Sequence, residues 1–439
     1  MQIIDTLIHA AWLIPIEPIN QVLKDYSLAI DKGKILDILP TQLASKKYIS
    51  DQTLHLADQA VLPGFINAHT HSPMSLLRGI ANDLALMDWL QNYVWPAEKK
   101  WLAEDFVYDG TQLALAEMIR GGTTCFNEHY FFPETISKVT NEVGLRACVG
   151  FTILDFPTNW SQNTDEAIAK GLKVCEQYKS HPLITIFFAP HAPYTLCDDS
   201  LKKIISLTNK LDIPNHIHVH ESNEEINNSI KTYNQRPLKR LYELGILNSK
   251  TLLIHMVHTN DEDLAIVKKS GSHVVHCPES NLKLASGFFK IEPFQRHNIN
   301  VALGTDSAAS NNNLDMIGEM RTAALIAKCI NNNPCTLTAA ETLAMATING
   351  AKALGLDSKI GSLKIGKFAD IISINLKTLA TAPVYDPIAQ IVYASHCNDV
   401  TNVWVAGKQL LNNGNLTTIN ESEVLQKAKL WGQRIVSSQ

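Results

Sequence analysis

Eight short, apolar, β-rich runs recur through the middle of this 439-residue chain, at 60–71, 122–129, 146–153, 183–192, 214–222, 251–258, 272–280 and 300–308. Longer stretches with apolar residues at helical spacing separate them. One is "EDFVYDGTQLALAEMIRGG", which ends in glycines; another is "DDSLKKIISLTNKLD", with Asp before its periodic run. Strands separated by helices join in parallel, because a parallel pair needs a crossover connection. Eight such units over 60–361 predict an α/β fold, a (β/α)8 TIM-like barrel. A doubly wound sheet would carry a glycine-rich phosphate loop, and neither G-x-G-x-x-G nor G-x-x-x-x-G-K-[ST] follows any of the runs. The flanks, 1–59 and 362–439, hold short strand-like runs with turns at "DKGK" (31–34), Gly366-Lys367 and Gly407-Lys408. Such strands need a second layer to bury a face, which predicts one small β-sandwich built from both termini.

Composition narrows the function classes. With 45% apolar and 18% charged residues, the chain can build a sizeable core. A net charge of −5 without a basic stripe argues against a nucleic-acid partner. No polybasic block marks a membrane surface, and no apolar stretch reaches the ~18 residues of a spanning helix. The start lacks the basic n-region and cleavage site of a signal peptide. The eight cysteines are scattered with no C-x-x-C pair, which predicts reduced, mostly buried thiols in a cytoplasmic enzyme rather than a zinc finger.

The polar residues gather at strand ends, where barrel enzymes place their chemistry. Run one, "PGFINAHTH", ends with His69 and His71, which alternation turns to one face. Run four gives His191. Run five, "HIHVHES", gives His216, His218, His220 and Glu221. Run six gives His255 and His258, run seven His276, run eight Asp306. The three histidines of run five share parity, so alternation does not choose among them, and Glu221 has the opposite parity unless the strand breaks. In a closed barrel the first and eighth strands are neighbours, so His69, His71 and Asp306 can meet, and His218 can reach across the mouth. Three imidazoles and a carboxylate suit one Zn²⁺ or similar ion, with a position left for water.

The stretches "PGFINAHTH", "HIHVHES", "LLIHMVH" and "LGTDSAASNN" resemble the amidohydrolase superfamily in its mononuclear aminohydrolase branch. "HTHSPMSLLRGIANDLALMDWLQNYVWPAEKKW" is similar to the 5-methylthioadenosine/S-adenosylhomocysteine deaminases and their chlorohydrolase-like relatives. The likeness covers nearly the whole chain. It implies a metal-dependent deaminase of adenine nucleosides, with His69, His71, His218 and Asp306 as ligands of one divalent ion, zinc or alternatively iron. The family spacing H-x-x-E selects His218 and Glu221. His255 matches the histidine that contacts the attacking water. His191 stands where binuclear relatives carry a bridging lysine, and with Glu98 it matches positions that hold the nucleoside. His216 and His220 match no family role and are read as structural.

These residues divide the chemistry. Asp306 would accept a proton from the attacking water, His255 would orient that water, and Glu221 would protonate the ring nitrogen. The carboxylate of Glu98 suits a ribose diol, although beside Lys99 and Lys100 it also reads as a solvated helix charge. Trp89, Trp95 and Trp101, with Met74 and Leu86, would wall an apolar pocket over the thioether, or pack in the core. The partner is then a small nucleoside, with neither nucleic acid nor membrane, and a homo-oligomer is expected. The alternatives are another aminohydrolase or a chlorohydrolase of a heterocycle such as guanine or a triazine, and a metal-free scaffold.

Overall fold

The computed structural model describes residues 1–437. Strands β1 (Gln2–Leu13), β2 (Leu23–Asp31), β3 (Lys34–Pro40) and β4 (Tyr48–Pro63) come first. The eight expected runs become β5 (Phe65–Thr70), β6 (Thr123–Tyr130), β7 (Arg146–Ile153), β8 (Ile184–Pro190), β9 (Asn215–Val219), β10 (Thr251–His255), β11 (His273–His276) and β12 (Val301–Leu303). Strands β13 (Ile371–Asn375), β14 (Val400–Val405), β15 (Lys408–Asn412) and β16 (Asn415–Leu416) follow.

Strands β5 to β12 pair in sequence order, all parallel, as a (β/α)8 barrel. Every residue of β6 and β7 is buried, because helices cover the outside while side chains fill the inside. Closure joins the loop after β12 to β5. The Asp306 N–H donates to the His69 carbonyl at 3.0 Å, and the Thr305 N–H donates to Asn67 Oδ1 at 3.0 Å. A Cβ on Gly304 would lie 2.7 Å from the His69 nitrogen, so this approach needs glycine. The closure that completes the barrel therefore also sets Asp306 beside His69.

The amphipathic stretches are helices, among them Glu104–Arg120, which ends at Gly121-Gly122. The helix Asp198–Leu211 differs in one detail from its sequence reading. Cys197 occupies the N-cap, and Asp198 and Asp199 sit in the first turn, favouring the positive end of the helix dipole rather than capping it.

Both termini form a second eight-stranded sheet, in the order β16-β15-β14-β13-β4-β1-β2-β3. Ile8, Leu13, Leu28, Ile30, Val61 and Trp404 give it a core of its own. The "DKGK" hairpin carries Lys32 at φ 49° and Gly33 at φ 74°, the two left-handed residues of a type I′ turn. The turn at Gly366 also forms (φ 90°), but "SLKI" before it is not a strand; the Leu363 N–H instead donates to the Pro15 carbonyl at 3.0 Å. The cysteines are free, yet only Cys125, Cys148 and Cys277 are buried. Cys197, Cys329 and Cys335 are exposed, because they lie at helix ends and in a loop rather than on a core face.

One buried ion pair ties sheet to barrel. Arg146 on β7 gives Nε to Asp370 Oδ2 at 2.7 Å and Nη2 to Oδ1 at 3.1 Å, and the Ala406 N–H adds a third bond at 2.8 Å. The two side chains are 3% and 1% exposed. Removing one partner strands the other charge in the interior. Asp370→Ala is therefore expected to lower the unfolding free energy by about 3–5 kcal/mol, read from the urea midpoint of the first unfolding transition.

Candidate active site

His69 and His71 leave the end of β5 on one side, with ring centroids 4.8 Å apart. The His71 Nδ1–H donates to the His129 carbonyl at 2.5 Å, and the His218 Nδ1–H donates to the His191 carbonyl at 2.7 Å. Both Nε2 atoms are thereby left as bare acceptors. The turn after His71 is held by Glu128, whose carboxylate receives the Ser72 N–H at 3.1 and 3.0 Å.

The three histidines of run five separate by depth. His216 lies deepest: its Nδ1 accepts from Asn127 Nδ2 at 2.6 Å, and its ring stacks on His129 at 4.6 Å. His218 sits nearer the mouth, with Nε2 3.2 Å from His69 Nε2. His220 leaves the face at φ 56°, and its Nε2 accepts the Leu238 N–H at 3.2 Å. The parity tie is thus broken by height in the barrel and by a kink, neither of which alternation encodes.

Asp306 Oδ1 lies 3.4 Å from His69 Nε2 and 3.3 Å from His71 Nε2. Its Oδ2 accepts the hydroxyls of Ser280 at 2.6 Å and Ser310 at 2.8 Å. Two acceptors, His218 Nε2 at 3.2 Å and Asp306 Oδ1 at 3.4 Å, therefore face His69 Nε2, and His71 Nε2 lies 3.3 Å from the same Asp306 oxygen. One proton on His69 satisfies only one of them, whereas a cation satisfies all. Burial pushes the His69 imidazole down to about 4 and His218 well below its usual range, so both rings are neutral donors of lone pairs. Burial pushes the Asp306 carboxyl up, but the adjacent His69 and His71 outweigh it and hold the carboxyl well below its usual range. Nitrogen and carboxylate donors in this proportion fit a divalent ion such as zinc. The ring nitrogens of His69, His218 and His255 also lie within 4.8 Å of one another.

His255 ends β10, and its Nδ1–H donates to Asn281 Oδ1 at 2.9 Å. Its Nε2 faces the centre, 3.7 Å from Glu221 Oε2. Glu221 is 8% exposed, and burial raises its carboxyl pKa against the pull of His255. A carboxyl held up in this way stays protonated to higher pH than an exposed one.

The cluster floors a cavity of about 540 Å³. Glu98 lines it from the helix Trp95–Trp101, and Tyr130 donates its hydroxyl to Glu98 Oε1 at 2.7 Å. Burial pushes this carboxyl up to about 7. His191 lines the cavity from the end of β8, its ring driven down to about 3 by burial. Met74, Leu86, Trp89 and Trp95 are in the wall. Trp101 is not: it packs edge-on against Trp431 at 6.0 Å, on the far side of its short helix. His258 and His276 stand apart, the former bonded to the Ser286 carbonyl at 2.5 Å, the latter stacked on Phe289 at 4.3 Å.

Several residues here escaped the sequence reading. Ser280, Asn281 and Ser310 fix the outer sides of Asp306 and His255. They follow strands β11 and β12, and polar residues shortly after a barrel strand are the available signal. His129 ends run two, 1% exposed, with its ring 4.6 Å from that of His218.

Known proteins share this arrangement of chain. Residues 60–410 match the amidohydrolase family. A 5-methylthioadenosine/S-adenosylhomocysteine deaminase of Teredinibacter turnerae is 45% identical over 432 residues, 98% of each chain. A 5'-deoxyadenosine deaminase of Methanosphaera stadtmanae is 37% identical, covering 95% of this chain and 100% of its own. The crystal structure of an adenosine deaminase from Xanthomonas campestris with bound zinc superposes with a TM-score of 0.98 at 44% identity, over 99% of each chain.

Proposed function

Since the chain belongs to the amidohydrolase family, we propose that it is a metal-dependent hydrolytic deaminase of adenine nucleosides, converting 5-methylthioadenosine and S-adenosylhomocysteine to inosyl products and ammonia. The observation that carries the reading is the convergence of the His69, His71 and His218 imidazole nitrogens and the Asp306 carboxylate on one point, beside the buried carboxyl of Glu221. His69, His71, His218 and Asp306 would hold the ion. A divalent ion bound there lowers the pKa of a water from about 15.7 to about 7, which supplies a nucleophile at neutral pH.

The side chains account for the protons. His255 Nε2 orients the water, and Asp306 accepts one of its protons as the oxygen attacks the carbon bearing the amino group. Glu221 protonates the adjacent ring nitrogen, so the electrons displaced by the attack end on N–H. The tetrahedral carbon then carries hydroxyl and amino groups. Asp306 returns its proton to the amino group, ammonia leaves, and the hydroxyl proton passes to Glu221. Water is consumed, ammonia released, and both carboxyl groups are restored.

Glu98 and His191 hold the nucleoside in this reading. Tyr130 occupies one Glu98 oxygen, and a ribose diol would donate to what remains free. Assayed above pH 7, where its carboxyl is mostly ionised, Glu98→Gln is expected to raise KM about 10- to 100-fold with metal content unchanged, as hydrogen bonds to a charged group are worth about 1.5–3 kcal/mol. Trp95 and Phe156, packed edge to face with ring centroids 6.1 Å apart, line the cavity and offer an apolar surface to a thioether substituent.

The testing experiment is a panel of methylthioadenosine, S-adenosylhomocysteine, adenosine, guanine and a triazine, assayed with metal-loaded protein for released ammonia or, for a chlorinated triazine, chloride. Turnover of the nucleosides supports the reading; turnover of guanine or the triazine alone transfers it to another aminohydrolase or a chlorohydrolase. A scaffold would hold well under one ion per chain and turn over nothing. The reading also includes one zinc ion per chain, with iron the alternative. It includes a barrel unit drawn from the sequence at 60–361 between terminal segments 1–59 and 362–439, of which Ala60–Pro63 belong to β4 of the terminal sheet, and a homo-oligomer in the cytoplasm. No helix among the described residues is long and apolar enough to cross a membrane.

A further inference from the structure

Strand β9 ends at Val219, and regular alternation would carry Glu221 to the face opposite His218. The side chain nevertheless lines the cavity. His220 makes the change, at φ 56°. A buried residue other than glycine occupies that region only where its surroundings hold it there. The His220 carbonyl accepts the His258 N–H at 3.1 Å, and its ring accepts the Leu238 N–H at 3.2 Å. These contacts hold His220 alone. The carboxylate of Glu225 holds both residues of the kink: Oε1 takes the His220 N–H at 3.0 Å, and Oε2 takes the Glu221 N–H at 2.9 Å. Glu225 is 8% exposed and lies in the first turn of the helix Asn223–Tyr233, its own N–H donating to Ser222 Oγ at 3.2 Å.

We infer that Glu225 is a positioning residue, whose two oxygens clamp successive backbone N–H groups and so aim the Glu221 carboxyl at the reacting ring. It touches neither substrate nor metal ligand side chain and acts only through Glu221. The inference rests on the role given to Glu221 in the proposed function.

Glu225→Gln keeps the shape but sets an amide NH2 against one of the two N–H donors, exchanging attraction for repulsion. A displacement of about 1 Å at the reacting centre costs about 100-fold, so kcat should fall by about 10- to 100-fold with KM and metal content unchanged. The diagnostic comparison repeats the change in a Glu221→Gln background. Once the acid is gone its aim has no value, so Glu225→Gln should there alter the residual rate by less than about twofold. A general loss of stability would lower both backgrounds alike. Should the Gln variant fail to fold, Glu225→Asp keeps the two carboxyl oxygens but falls a methylene short, and a smaller loss of kcat with the same dependence on Glu221 is expected. The clamp is refuted if the variant retains wild-type kcat, if its loss persists without Glu221, or if metal is lost. If Glu221→Gln itself turns over normally, the proposed function is what fails; if Glu221→Gln is inactive and Glu225→Gln is not, only the clamp fails.

Discussion

Glu221→Gln is expected to lower kcat on adenine nucleosides by about 10³-fold or more, within the range of about 10²–10⁴ that a positioned general acid contributes. Metal content should stay at the wild-type level. Glu221 stands 3.7 Å from His255, outside the group formed by His69, His71 and Asp306. Glutamine has nearly the same volume and preserves the packing of the cavity floor. It still donates a hydrogen bond, but it has no proton to give up. Burial is the larger influence on the Glu221 carboxyl and keeps it protonated further up the pH scale than an exposed glutamate, while the neighbouring His255 works against it. The attack on the ring carbon pushes an electron pair onto the neighbouring nitrogen, and without an acid that charge stays unneutralised. The loss should therefore appear mainly in kcat. Steady-state ammonia release and elemental analysis on the same preparation test it, and a near-normal rate with full metal would sink the proton route.

His218→Ala should lose metal and activity together. The His218 ring is doubly fixed, by the His191 carbonyl at Nδ1 and by its place 3.2 Å from His69 Nε2. Alanine removes one of the converging donors and supplies no substitute. Activation of water by a bound ion is worth several kcal/mol, which corresponds to about 10³-fold or more in rate. A ligand that binds only the folded state also stabilises it, by about 4 kcal/mol at a thousandfold excess over its dissociation constant. A chelator should thus lower the thermal midpoint of the wild type and leave that of His218→Ala nearly unchanged. Full metal occupancy in the variant would remove His218 from the ligand set, leaving His255 as the alternative third nitrogen near His69.

The contrast between these variants follows how much of the site was legible. His69, His71 and Asp306 could be picked out because they fall at the ends of runs whose strand character is local, whereas His255 shared run six with His258 and was singled out by the family resemblance. Alternation could bracket His218 but not choose it, since His216 and His220 share its parity; the choice came from the family spacing H-x-x-E. Glu98 stood between a solvated helix charge and a ribose ligand. Its place in the cavity wall beside Tyr130 comes from β6 packing against a helix, and nothing within 95–101 encodes that neighbour. Trp101 read the same as Trp89 and Trp95, yet it faces Trp431 from the other end of the chain. Ser280 and Ser310 gained meaning only when two loops met on one carboxylate oxygen.

The sequence by itself determined the eight β/α units, the second sheet from the two termini and the strand ends where chemistry would gather. These follow from side-chain periodicity and crossover length, which are properties of neighbours along the chain. Only the tertiary structure decided which histidines converge and where Glu221 points. His220, His255 and Asp306 all sit in the left-handed region, at φ 56°, 74° and 59°. Each leaves its strand by a turn that regular alternation does not foresee. The bonds that define those exits include Glu225 to two N–H groups and the Asp306 N–H to the His69 carbonyl across the barrel seam. The latter joins positions more than two hundred residues apart, so it exists only once the barrel has closed.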